Sequence, residues 1–179
     1  MARTWFAMIG IGKKAAATDP VGRLRECHDK LRKFSATAVR LAESQDAAPD
    51  DVREAASGVV KYFTQALPRH TADEDESLLP RLKGLDAAVD AELAEMEKEH
   101  RAHEGPVAEL ITLCRALADA PERLGNLRAD LARVASTVDA DLGVHLAREE
   151  NVIFPAVERL LDDAARNDIA HEMSARRGQ

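Results

Sequence analysis

The chain has 179 residues, 45% of them hydrophobic, 32% charged and 3% aromatic, with a net charge of −7; that is enough for one substantial core and short for two. Abundant Ala, Leu, Glu and Arg with few β-branched or aromatic runs favour an all-α protein, and the acidic balance without a basic patch argues against nucleic acid as a partner. Two distant cysteines, Cys27 and Cys114, give no disulfide framework and no C-x-x-C site, which fits a reduced cytoplasmic setting.

Residues 1–18 read as an N-terminal extension. Its apolar stretch WFAMIGIG runs from Trp5 to Gly12 and straight into Lys13 and Lys14, with no small-residue cleavage site. A membrane span needs roughly 20 apolar residues, so this stretch is too short to be one. Packing on the bundle or on a partner chain is the expectation, with docking to a membrane or partner as the weaker alternative.

Asp19-Pro20 opens the first helix, which should run to about Glu43 before SQDAAPD interrupts it. Asp50 is placed to cap the second, which continues through Val59, Phe63 and His70 toward Pro80. Gly84 marks a break, and a third helix follows from Leu85 to about Leu117. Ala120-Pro121 starts the fourth and longest, which reaches about Leu161, and NDIAHEMSARRGQ has room for one more short helix. Four amphipathic segments on short connections predict an up-down-up-down four-helix bundle over 19–163, with a short helix or tail at 164–179. Pro68, Pro106 and Pro155 fall inside these segments and are expected to kink or interrupt them.

Apolar residues recur at helical spacing in each segment. In the third, Val89, Leu93, Met96, Val107, Leu110, Cys114 and Leu117 leave one gap, and the rhythm lands there on His100 and His103. In the fourth, Leu131, Val134, Val138 and Leu142 lead to His145, Glu149 and Val152. In the second, Val59, Phe63 and Leu67 lead to His70, Glu74 and Leu78; in the first, Leu24 and Leu31 bracket His28. This period puts all of these positions on the core-facing side. Of the six histidines only His171, in the tail, falls off the stripes.

One inward histidine is usually a hydrogen-bonded core residue. Several histidines with two glutamates in an apolar core are different, because each uncompensated buried carboxylate costs several kcal/mol. A domain with about 5–15 kcal/mol of net stability could hardly absorb the set. No lysine lies on the stripes, so a metal is the simplest compensating charge. A histidine and a glutamate four residues apart share one helix face, and that pair occurs twice, in HTADEDESLLP (70–80) and HLAREENVIFP (145–155), each phrase ending on proline. A lone inward histidine, His28 or His100, stands one helix upstream of each phrase. A tetrahedral zinc needs fewer ligands and usually cysteine; a mixed N/O set of this size suits two carboxylate-bridged iron or manganese ions. Each copy of the phrase would supply half of a dinuclear site.

The stretches DPVGRLRECHDKLRKF, HTADEDESLLP, the EH of EKEHRAHEG, HLAREENVIFP and the tail EMSARR resemble the hemerythrin-like, HHE cation-binding proteins from Asp19 to Arg177. The resemblance implies two iron ions as an oxo- or hydroxo-bridged di-iron centre inside a four-helix bundle. Carried over position by position, His28, His70, His100 and His145 would be terminal ligands, and Glu74 and Glu149 would bridge. The chain departs from the oxygen-carrying members, which have a second histidine one turn along the third helix and an aspartate five residues after the last histidine. Here Glu104 follows His100 by one turn, His103 lies between, and the last acid is Glu149. Fewer imidazoles leave more positions for water, dioxygen, peroxide or nitric oxide, so simple oxygen carriage does not follow. His103 keeps three roles open: a further ligand, a group that orients a ligand or bound oxygen, or a core histidine.

The expected function is binding, sensing or reaction with dioxygen, peroxide or nitric oxide. An iron donor or enzyme of the iron-centre repair type, which EHRAHEG also resembles, is the alternative; an interaction module with a merely structural metal is a third. No nucleotide loop, substrate pocket or nucleophile–base pair is legible, so no catalysed reaction is named. Oligomeric state stays open, a homodimer included.

Overall fold

The computed structural model describes residues 19–178, and the N-terminal extension lies outside them. The described chain is an all-α bundle of four long helices with a fifth helix closing one end. The first, α1 (Pro20–Glu43), starts as the Asp-Pro dipeptide requires: Asp19 accepts from the Gly22 amide at 2.8 Å and Pro20 occupies the first turn. The second, α2 (49–82), begins at Pro49 on an Ala48 N-cap that offers no side-chain hydrogen bond. Asp50 is therefore not its cap. Proline at the first position needs no capped amide, and Asp50 and Asp51 instead place negative charge in the first turn.

Gly84, at φ 82°, reverses the chain, and Asp86 caps α3 (Ala87–Asp119) through the amides of Ala88 and Val89. After a 3₁₀ turn at Pro121–Arg123, α4 (124–160) returns, and α5 (Asp163–Ala175) starts on Asp162. Around the bundle, α1 packs on α2 and α4, and α3 packs on the same two. Among the described residues no helix is long and apolar enough to cross a membrane.

The expected interruptions are only partly found. The break near Pro68 is real: α2 pauses at Ala66 and restarts at Leu67. Pro106 leaves α3 uninterrupted. The carbonyl it strands belongs to Ala102, on the exposed face, where water can satisfy it.

The core is split. One apolar cluster gathers Leu31, Val59, Phe63, Leu110, Leu131 and Val138. The other gathers Leu24, Leu82, Met96, Phe154 and Val157, together with Ile169 and Met173 of α5. On each long helix the histidines and glutamates stand between residues of one cluster and residues of the other. A polar layer crosses the middle of the bundle.

Candidate metal centre

The proline that ends each repeated phrase shapes the backbone around its glutamate. Proline has no N–H, and its ring collides with the carbonyl four residues back. In both copies the helix widens ahead of it. The amide of Leu79 bonds to the carbonyl of Glu74 and the amide of Phe154 to that of Glu149, five residues back in each case. The resulting π turns, Asp73–Leu78 and Glu149–Ile153, carry the two glutamates. In each copy the residue four places after the glutamate, Leu78 or Ile153, is fully buried, whereas Val152, expected on the stripe three places after Glu149, is only half-buried.

All six sequence-predicted site residues meet in the polar layer. His28, His70, Glu74, His145 and Glu149 are buried, and the His100 side chain is 12% exposed. Nε2 of His28 lies 2.9 Å from Oε2 of Glu149, and Nε2 of His145 lies 2.8 Å from Oε1 of the same residue. Nε2 of His70 is 3.2 Å from Oε1 of Glu74, and Nε2 of His100 is 3.5 Å from its Oε2. Nε2 of His100 and Nε2 of His145 stand only 3.2 Å apart. Two overlapping quartets result, each with ligand-type atoms within 4.8 Å of one another: His28, His70, Glu74 and Glu149, and Glu74, His100, His145 and Glu149. Both glutamates belong to both quartets.

These short approaches are mostly not hydrogen bonds. Nε2 of His28, both ring nitrogens of His70 and all four oxygens of Glu74 and Glu149 are buried without a hydrogen-bond partner. Each such orphan costs about 1–3 kcal/mol, and native cores carry few. Lone pairs aimed at a common point rather than at donors are what a cation would gather.

On three of the four histidines the far ring nitrogen is held from outside, while that of His70 has no partner. Nδ1 of His28 meets Glu150 at 2.8 Å, Nδ1 of His100 meets Asp75 at 3.1 Å, and Nδ1 of His145 meets Glu99 at 2.8 Å. An Nδ1–H donated outward leaves the Nε2 lone pair facing inward, the usual second layer of a metal site. Arg32 in turn grips both oxygens of Glu150 at 2.9 Å. Sequence reasoning missed these outer acids, although a signal existed: each phrase follows its inner glutamate with another acid, Asp75 or Glu150.

The electrostatics point to missing positive charge. Burial, and then the charge of Glu149, hold the Glu74 carboxyl well above the usual carboxylate range. Burial also acts to raise Glu149, but the contacts from His145 and His28 and the charges of His145 and His70 overcome it, so its pKa falls below that range. Burial pushes the His70 imidazole down to about 3. Burial works the same way on His145, but Glu149 and Glu99 outweigh it and the net shift is upward. Two adjacent carboxylates thus compete for too little positive charge.

His103 and Glu104 belong to neither quartet. His103 is half-buried with its ring edge-on to His145 at 5.3 Å, and Glu104 is exposed. Both line a cleft of about 690 Å³ that also reaches His70, His100 and His145. The set of donors fits a bound cation: imidazole nitrogens and carboxylate oxygens, no cysteine, and more groups than one tetrahedral ion needs.

The chain has no match among curated proteins. The family model of the hemerythrin HHE cation binding domain matches residues 19–110, just over half of the chain. That span holds His28, His70, Glu74 and His100; His145 and Glu149 lie beyond it, and the second copy of the phrase carries them into the same layer. By that match the chain belongs to the hemerythrin HHE cation-binding family.

Proposed function

We propose that the chain is a non-haem di-iron protein that binds or reacts with dioxygen, peroxide or nitric oxide, in oxygen binding, sensing or the handling of oxidative or nitrosative stress. His28, His70, His100 and His145 would be the terminal ligands, and Glu74 and Glu149 the bridging ones. One observation carries the reading: two ligand quartets overlap in the same two glutamates, whose oxygens have no other partner. Iron held there would supply a centre able to exchange electrons with such small molecules.

The chain's own residues set the terms. Glu150, Asp75 and Glu99 fix the ring orientation of His28, His100 and His145, so the donors are arranged before any metal arrives. The apolar clusters above and below keep bulk water from the layer, and the cleft beside His103 gives small molecules a way in. The test is the absorption spectrum of iron-loaded, air-exposed protein before and after peroxide, azide and nitric oxide. Each addition is expected to change the near-ultraviolet and visible bands. A spectrum that answers none of the three would leave the metal without this chemistry.

A further inference from the structure

The cleft is far larger than a diatomic molecule requires. At about 690 Å³ it falls in the roughly 300–1,000 Å³ range of sites that take whole organic ligands, whereas a water-sized molecule needs about 30 Å³. Its walls are mostly apolar, with Leu31, Phe63, Leu67, Val107, Ile111 and Leu142 contributed by all four long helices. Its floor is the ring of His70, His100 and His145.

Two features narrow what could fill it. Around the mouth stand Glu97 and Glu104 against the single Arg101, so the entrance carries more negative than positive charge and disfavours anions. Inside, His103 lines the cleft half-buried and makes no hydrogen bond among the described residues; its ring stands edge-on to that of His145 at 5.3 Å. A half-buried imidazole with both nitrogens unclaimed is a hydrogen-bonding group without its partner.

We propose that this cleft binds a neutral, largely apolar organic molecule with one hydrogen-bonding head, of the class of alkyl and aryl hydroperoxides and the alcohols derived from them, and that His103 takes the head. The choice of a peroxide-type head rests on the function proposed above. The apolar body and the neutral charge follow from the walls and the mouth alone.

The test uses 2-phenylpropan-2-ol, an unreactive stand-in, titrated into the full chain and followed by saturation-transfer and protein NMR, with iron measured on the same samples. Circular dichroism checks the fold of each variant. Ala108→Trp, which fills the cleft, should abolish binding. His103→Ala should weaken it about tenfold, the value of one hydrogen bond. Val144→Trp, on an exposed face of α4, should leave it unchanged. Failure of the wild-type chain to bind, or equal binding by all three variants, overturns the proposal whatever the metal content. Binding with the expected pattern by protein that takes up no iron would uphold the cleft and sink the di-iron reading.

Discussion

The C-terminal helix offers the most direct test of how the polar layer is held. Asp73 immediately precedes Glu74 in the first π turn and is fully buried. Its carboxylate is held by two guanidinium groups from the end of α5: Arg176 Nη1 reaches Oδ1 at 3.1 Å and Arg177 Nη2 reaches Oδ2 at 2.5 Å. Removing both arginines leaves a buried carboxylate without a partner, a change that costs about 3–5 kcal/mol when the pair is fully enclosed. The arginine side chains are 21% and 19% exposed, so water can replace part of the loss, and about 2–4 kcal/mol is the working figure. For a chain of this size that lowers the melting temperature by roughly 5–15 °C. The assay is thermal unfolding of Arg176→Ala/Arg177→Ala, alone and combined with Asp73→Asn. Neutralising Asp73 should lower the melting temperature of the wild-type chain but raise that of the double variant. A double variant that melts within about 1 °C of wild type, or an Asp73→Asn cost that is the same in both backgrounds, would refute the clamp.

Further outcomes follow from the outer groups and from burial. Glu150→Gln and Asp75→Asn should weaken metal retention against a chelator by about 10–100-fold while leaving the helical spectrum intact; unchanged retention would mean that the Nδ1 contacts do not orient the ligands. In metal-free protein, burial holds the His70 pKa at about 3, below its ordinary 6.5. The unfolded chain therefore binds the extra proton first, so this contribution to stability is complete above about pH 6.5 and is lost as the pH falls toward 3. His70→Leu should flatten that acid limb, and an identical pH profile for both chains would contradict the burial argument. With metal bound, the same protons compete for the imidazoles, so acidification should also release the ion.

Much of the fold was legible because helical periodicity counts reliably where the helix is regular. Every apolar position of the α3 stripe, from Val89 to Leu117, is buried, and the gap between Met96 and Val107 holds His100 and His103 as the rhythm required. The count missed at one position: from Glu149 a step of four reaches the buried Ile153, as it reaches Leu78 from Glu74, whereas a step of three had pointed to Val152. The wide turns ahead of Pro80 and Pro155 were not legible, because a proline in a helical pattern reads equally well as a kink, a stop or a wide turn. The six inner residues could be found because they interrupt apolar stripes. Asp75 and Glu150 left only the trace of a second acid after each inner glutamate, and Glu99 left none, because an acid beside a stripe looks like an ordinary solvated residue until a neighbouring helix brings a histidine to it.

If two ions share Glu74 and Glu149, the metal content of the chain shows it. Protein expressed in iron-rich medium, analysed for iron per chain beside a Glu74→Ala/Glu149→Ala variant, should approach two irons per wild-type chain and lose most of that iron in the variant. A single iron in the wild-type chain, or undiminished iron without the two glutamates, would rule out a dinuclear site bridged by them.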